Sequence, residues 1–280
     1  MTKETRDAAW ITVRISPGAR RDDVLAALFE AGAAGVQEFP DALVTHAHGL
    51  ADASRLERAA LAIASDVVVQ TEPLAISDWS ERWKHALRAQ RVGRLTIAPP
   101  WLGHGLDPAT TIVIEPGMAF GTGDHATTQS VVRLLQNVAR DGDRVADVGT
   151  GSAVLAIAAA KLGASRVVAI ELDPDAIENA EENVRRNGVD DRVSVVEGDA
   201  ASLLPLVAPV RIVTANIISS VLIDLLPTMR TALDVDGCAI LSGILTSERA
   251  LMLDRLAAAG WRIVEEIEEG EWWSATVEPR

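Results

Sequence analysis

The spacing of hydrophobic residues over residues 1–72 predicts a small domain of alternating strands and helices. Alternation of apolar and polar positions, as in Trp10–Ser16, is typical of a half-buried strand, whereas apolar residues three or four positions apart predict a helix. Strands are predicted at 10–16, 35–39, 42–47 and 66–72, and helices at 22–31 and 52–65. This βαββαβ order predicts a ferredoxin-like α+β domain.

From residue 144 the pattern changes to apolar, β-branched runs that alternate with helical spacings, which predicts a doubly wound sheet. Strands are predicted at 144–148, 166–171, 192–196, 210–215, 237–242, 260–267 and 271–277, with helices at 152–162, 175–187, 218–226 and 247–258. The fold class is therefore α/β, with a Rossmann-like sheet of seven strands whose last two form an antiparallel hairpin at Gly270.

Residues 73–104 are predicted to connect the small domain to a second domain at residues 105–280. The connector contains Trp79 and Trp83 in a predicted helix, followed by a short strand at 95–98. After it the sequence predicts a strand at 111–115, a glycine-rich loop at 116–125 and a helix that is capped by Thr127 or Thr128 and ends near Ala139.

Composition and charge narrow the possible functions. The chain has 26 Lys and Arg against 40 Asp and Glu, a net charge of −14. Such an acidic protein is not expected to bind nucleic acid or anionic membranes broadly, and it suits a basic partner. Cys238 is the single cysteine, which excludes an intramolecular disulfide framework and a cysteine-rich zinc site and indicates a cytoplasmic protein. No apolar run reaches the ~18 residues of a membrane helix, and residues 1–7 lack the apolar region of a signal peptide.

A glycine loop carries the strongest chemical signal. Gly149 and Gly151 follow a predicted strand and open a helix, so the backbone can approach a ligand closely. Glu171 ends the next strand about twenty residues later, where a carboxylate can bind a ribose diol. Val154 occupies the place of the third glycine of a dinucleotide site, and Asp147 is expected to face a cationic ligand. This combination favours S-adenosylmethionine over NAD.

Further polar side chains are predicted at the same edge of the sheet. Asp199 follows the third strand and could accept a hydrogen bond from an adenine amino group. Asn216 ends the fourth strand, where its carbonyl could orient an attacking amine and also contact the cofactor, although Asn is equally suited to cap a helix. The hydroxyls of Thr127 and Thr128 are candidates for the amino-acid end of the cofactor, whereas His125 is expected to be structural.

Five motifs together resemble the PrmA family of bacterial methyltransferases, which act on the eleventh protein of the large ribosomal subunit. They are Phe120-Gly-Thr-Gly-Asp-His-Ala-Thr-Thr128, Asp147-Val-Gly-Thr-Gly-Ser152, Glu171-Leu-Asp-Pro174, Ala215-Asn-Ile217 and Leu241-Ser-Gly-Ile-Leu245. The resemblance implies a Rossmann-like methyltransferase sheet that uses S-adenosylmethionine to methylate lysine side chains and the N-terminal amine of that basic protein. It also implies that residues 1–72 recognise the substrate. Glu171 and Ala153 depart from the family, which usually has Asp and Gly there.

The expected site thus has Asn216 and Phe120 at the reacting amine, with Phe120 walling the pocket. The cofactor is assigned to Thr127, Thr128, Asp147, Gly149, Gly151, Glu171, Asp199 and Asn216. No dedicated base is evident, so the amine is expected to lose its proton to water. No metal site is expected, since His46 and His48 are predicted on an exposed strand face, and a monomer without membrane or direct nucleic-acid binding is favoured.

Three other functions fit parts of the pattern. The chain could methylate a small molecule or a nucleic acid, but Ile217 and Ile218 replace the Pro-Pro-aromatic run found around flipped adenines. It could be a nicotinamide oxidoreductase, which Val154 disfavours. It could also be a binding module with a degenerate pocket, which the intact loop at 120–128 and the three strand-end acids disfavour.

Overall fold

The computed structural model describes residues 10–18, 20–33, 35–64, 66–73, 88–115, 121 and 123–280. The chain divides into two compact units, residues 1–86 and 87–280. The predicted helix with Trp79 and Trp83 lies outside the described residues, and so does Phe120.

The first unit has the predicted ferredoxin-like fold. Its elements are β1 (Trp10–Ser16), α1 (Arg21–Glu30), β2 (Gln37–Glu38), β3 (Leu43–His48), α2 (Gly49–Leu61) and β4 (Val68–Pro73). The strands form an antiparallel sheet in the order β2-β3-β1-β4. One face of β1 is buried, with Ile11, Val13 and Ile15 in a core shared with the helices, and His46 and His48 lie exposed on β3 as expected.

The second unit contains the predicted seven-stranded sheet. Its elements are β5 (Gln90–Val92), β6 (Leu95–Ala98), α3 (Pro100–Gly103), β7 (Thr111–Val113), α4 (Ala126–Val138), β8 (Arg144–Val148), α5 (Val154–Lys161), β9 (Arg166–Glu171), α6 (Pro174–Arg186), β10 (Val193–Glu197), α7 (Ala200–Val207), β11 (Val210–Asn216), α8 (Ser219–Ala232), β12 (Leu233–Leu245), α9 (Arg249–Ala258), β13 (Trp261–Glu269) and β14 (Trp272–Pro279). The order is β10-β9-β8-β11-β12-β14-β13, and the last hairpin is antiparallel as predicted.

Both faces of the central strands of this sheet are buried, which explains their continuous apolar runs. Along β8, Val145 belongs to one hydrophobic cluster, whereas Ala146 and Val148 belong to another cluster on the opposite face. The strand order reverses between β8 and β11, and open α/β sheets bind ligands at such a reversal, beyond the carboxyl ends of the strands.

A small sheet of β5, β6 and β7 occupies much of the predicted connector. Val92, Leu95 and Ile97 are buried in the same cluster as the helices of the second unit. Gln136 of α4 also bonds to this segment, accepting from the backbone N–H of Arg94 and donating to the carbonyl of Val92. The described part of the connector, residues 88–104, is therefore packed within the larger unit.

Three local expectations differ from the structure. Helix α7, which contains Pro205, is not predicted by the sequence pattern. Helix α8 continues through Pro227 to Ala232 rather than ending at 226. The cap of α4 is His125 and neither threonine, because its ring nitrogen accepts from the backbone N–H of Thr127 at 3.4 Å.

Candidate functional site

A pocket of about 690 Å³ lies beyond the carboxyl ends of the central strands of the second unit. Five of the predicted site residues line it: Gly149, Gly151, Glu171, Asp199 and Asn216. They come from four different strand ends, so the parallel sheet brings together residues that are distant in sequence.

The glycine loop after β8 presents its backbone to this pocket. The carbonyl of Ile170 on β9 accepts from the N–H groups of Gly149 at 2.9 Å and Thr150 at 3.1 Å, which ties the loop to the neighbouring strand. Gly149 has φ +66°, and a Cβ there would lie 2.4 Å from Cγ2 of Ile217. Only glycine fits at this position, because both the backbone conformation and the close approach exclude a side chain.

The half-buried carboxylate of Glu171 organises the loop as well as the pocket. One oxygen accepts from the N–H of Gly151 at 2.8 Å, and the other accepts from the N–H groups of Leu172 and Asp173 at 2.8 and 3.0 Å. A carboxylate has about four lone-pair sites and three are occupied here, so one site on Oε2 remains for a hydroxyl in the pocket.

Asp199 lies at the N-terminus of α7, on the pocket wall. It caps the helix, accepting from the N–H of Ala201 at 3.2 Å and from the hydroxyl of Ser202 at 3.2 Å. Because its side chain is exposed and capping occupies one lone pair of each oxygen, it can also accept from an exocyclic amino group.

Asp147 does not face the pocket, contrary to expectation. It is fully buried, and its two oxygens accept hydrogen bonds from the hydroxyls of Thr150 and Thr214, both at 2.6 Å. Burial raises the pKa of Asp147 to about 6, although the hydrogen bonds from the two threonine hydroxyls lower it in part. The carboxylate therefore joins the glycine loop to β11 rather than contacting a ligand.

Asn216 ends β11, and the two polar atoms of its side-chain amide differ in their hydrogen bonding. Its Nδ2 donates to Oγ1 of Thr127 at 3.1 Å, whereas its Oδ1 is buried and has no hydrogen-bond partner among the residues that the structure describes. Oγ1 of Thr127 also lies 2.7 Å from Nδ1 of His125. The carbonyl oxygen of Asn216 is therefore the end of the amide whose hydrogen-bonding capacity is not used by the described residues.

The two predicted threonines are both buried at the start of α4 and do not line the pocket. The hydroxyl of Thr127 is engaged by His125 and Asn216, whereas that of Thr128 has no partner within the described part of the chain. Gly121, which precedes α4, accepts a hydrogen bond at its carbonyl from the hydroxyl of Ser152 at 2.7 Å.

Comparison with known proteins identifies the family. The model of the family described as ribosomal protein L11 methyltransferase (PrmA) matches residues 41–279. The chain belongs to this family. Membership confirms the resemblance and the Rossmann-like methyltransferase fold class. It also indicates that the cofactor is S-adenosylmethionine.

Individual relatives agree with the family model. The ribosomal protein L11 methyltransferase of Pelotomaculum thermopropionicum is 42% identical over 206 residues, covering 73% of this chain and 66% of that protein. The enzyme of the same name from Lacticaseibacillus paracasei is 34% identical over 275 residues, covering 96% and 84%. The crystal structure of the ribosomal protein L11 methylase from Lactobacillus delbrueckii subsp. bulgaricus is 31% identical, with a TM-score of 0.62 over 69% of this chain and 100% of that chain. The match to the Pelotomaculum thermopropionicum protein spans about two thirds of that protein's length.

Several supporting residues escaped the sequence analysis. Thr150 and Thr214 hold Asp147, and the buried amide of Asn183 donates to the carbonyl of Ser152 at 3.1 Å while its oxygen accepts from the N–H of Glu115 at 2.9 Å. A polar residue at a buried helical position was the only available signal for Asn183. Its partners lie 31 and 68 residues away, so spacing could not reveal them.

Neither a metal-ligand cluster nor a membrane-spanning helix is found among the described residues. They contain no group of three or more His, Cys, Asp or Glu side chains that could hold a metal ion. Within the same residues, no helix is long and apolar enough to cross a membrane.

The raised pKa of Asp147 predicts a specific pH dependence of stability. A carboxyl whose pKa is higher in the folded state favours folding while it is protonated, and this contribution is lost as the pH rises from about 4 through about 6. The free energy of unfolding of the wild type relative to Asp147→Asn should therefore fall by about 3 kcal/mol across that range. Urea unfolding of both proteins at several pH values measures the difference. A difference that is independent of pH would contradict this assignment.

Proposed function

We propose that this chain is an S-adenosylmethionine-dependent methyltransferase that modifies amino groups of ribosomal protein L11, both lysine side chains and the N-terminal amine. Family membership supports the reaction class and the protein substrate. The observation that carries the choice of amino groups is the buried Oδ1 of Asn216, which has no partner among the described residues and belongs to a residue that lines the pocket. A neutral amine has N–H groups to donate to such an acceptor and a lone pair left for attack.

The described residues fit the adenosyl part of the cofactor. Glu171 would bind a ribose hydroxyl, and Asp199 would accept from the adenine amino group beside apolar contacts from Leu172 and Val221, which also line the pocket. Gly149 allows Ile217, which also lines the pocket, to pack against the glycine loop, because a Cβ there would lie 2.4 Å from Cγ2 of Ile217. Thr128, with its unpartnered hydroxyl, is proposed to contact the methionine end, and Phe120 to wall the pocket.

The bound cofactor supplies a methyl group on a sulfonium, a good leaving group, so no covalent enzyme intermediate is needed. The task of the protein is to prepare the nucleophile, because a lysine amine with a pKa near ~10.4 is mostly protonated at neutral pH. Asn216 would accept from the neutral amine and aim its lone pair, while the pocket excludes water and favours the uncharged form. Positioning of this kind can supply about 7–11 kcal/mol.

The basic substrate also suits the charge of the chain. The net charge of −14 favours encounter with a basic ribosomal protein, an attraction that salt would weaken. Residues 1–72 are proposed to recognise that substrate, since the cofactor pocket lies entirely in the second unit and the first unit has a complete fold and core of its own.

The direct test is incubation of the purified protein with labelled S-adenosylmethionine and L11, followed by mass spectrometry of the modified peptides. Methyl groups should appear on lysine side chains and the N-terminal amine of L11. Calorimetry should show binding of S-adenosylhomocysteine and none of NAD. NAD binding without S-adenosylhomocysteine binding, or methyl groups only on nucleic acid or small molecules, would overturn the proposal.

The proposed ribose contact predicts the behaviour of Glu171→Ala. A contact that is made equally in the ground and transition states changes the affinity for the cofactor and leaves the rate at saturation nearly unchanged. The dissociation constant for S-adenosylhomocysteine should rise about 10- to 100-fold, as expected for loss of charged hydrogen bonds. Glu171→Asp is the matched control and should stay within a few-fold of the wild type. A large loss of kcat with unchanged affinity would argue against a ribose contact.

The proposed division of labour predicts the behaviour of a variant that lacks residues 1–72. It should bind S-adenosylhomocysteine with near-normal affinity, because no pocket residue is removed, and should lose methylation of intact L11. Calorimetry and the methylation assay, with the full chain as control, measure the two properties. Methylation of L11 at the full rate would place recognition in the second unit.

A further inference from the structure

A row of hydrogen-bonded side chains runs from the start of α4 to Asn216. Nδ1 of His125 lies 2.7 Å from Oγ1 of Thr127, and Oγ1 of Thr127 accepts from Nδ2 of Asn216 at 3.1 Å. The ring of Trp272 packs edge-on against the His125 ring, with 5.1 Å between centroids. His125, Thr127 and Trp272 do not line the pocket, whereas Asn216 does.

The direction of each hydrogen bond in the row follows from the first. The backbone N–H of Thr127 points at Nδ1 of His125 at 3.4 Å, so this nitrogen is the acceptor. The Thr127 hydroxyl then donates its single proton to Nδ1, and its oxygen is left to accept. An oxygen that only accepts selects the NH2 end of the Asn216 amide, and the carbonyl end must point away from Thr127.

We propose that Thr127 and His125 are positioning residues that fix the amide of Asn216 with its oxygen toward the acceptor amine. The inference rests on the proposed function and concerns how the nucleophile is aimed. With Oδ1 toward the amine, an amine N–H donates to it and the lone pair stays free. With the amide reversed, Nδ2 would donate to that same lone pair and block the attack on the methyl group.

The test compares Thr127→Val, which keeps the shape of the side chain, with Thr127→Ser, which keeps the hydroxyl. The valine variant should lose about 10- to 100-fold in kcat for methylation of L11, while its affinity for S-adenosylhomocysteine stays within about twofold. The serine variant should recover at least a third of wild-type kcat. Equal kcat for wild type and valine variant, or a valine variant that loses cofactor affinity instead of kcat, would overturn the proposal.

A double-mutant cycle separates positioning from a merely structural role. If Thr127 acts through the amide, Thr127→Val should have no further effect on kcat when Asn216→Ala is already present. The same fold-loss in both backgrounds would show that the hydroxyl acts elsewhere.

A readout without catalysis keeps this inference separate from the proposed function. In protein labelled with 15N-asparagine, one side-chain amide proton of Asn216 should exchange slowly with water in the wild type and in Thr127→Ser, and rapidly in Thr127→Val. Its signal is assigned by its absence in Asn216→Ala. Failure of the wild type to methylate L11 would overturn the proposed function, whereas exchange that is insensitive to the Thr127 hydroxyl would overturn the positioning role.

Discussion

The hydrogen bonds of one buried carboxylate hold together the two halves of the site. Asp147 accepts from Thr150 in the glycine loop and from Thr214 on β11, both at 2.6 Å. The loop forms one wall of the cofactor pocket, and β11 ends two residues later at Asn216. A shift of either element relative to the other would leave a charge buried without a partner, which costs several kcal/mol. The same group therefore fixes the distance between the proposed cofactor cradle and the amide that is proposed to face the amine.

A second constraint fixes the backbone on the far side of Asn216. The N–H of Ile217 donates to the carbonyl of Ser242 on β12 at 3.2 Å. The next residue, Gly243, has φ +80°, and a Cβ there would lie 2.6 Å from the carbonyl oxygen of Ile217. The glycine of the Leu241–Leu245 motif thus allows two strand ends to approach closely. None of the residues 241–245 lines the pocket. The motif acts on the site through the placement of Asn216.

The sequence predicted the parts of this protein that depend on local pattern and missed those that depend on distant contacts. Alternating and continuous apolar runs located the four-stranded and the seven-stranded sheet, and the strand-end positions placed Glu171, Asp199 and Asn216 at one edge. The prediction that Asp147 faces the ligand was wrong, because its partner Thr214 lies 67 residues away along the chain. The sequence pattern predicts a connector at residues 88–104, because no local signal shows that they are buried within the second unit. The role of the loop at 116–120 stays a prediction.

In the proposed site, the cofactor side and the amine side are built by different means. Backbone groups and carboxylates at the ends of β8, β9 and β10 form the cofactor side, and any sheet of this topology can supply them. The amine side adds α4, which precedes the sheet in sequence and whose Thr127 reaches the end of β11 across 89 residues. The two proposed sets of contacts therefore meet at two places, the strand end at Asn216 and the start of α4, where Thr127 bonds to Asn216 and Thr128 is proposed to contact the methionine end of the cofactor. This arrangement depends on the strand order, since β8 and β11 are neighbours while α4 precedes the alternation of strands and helices.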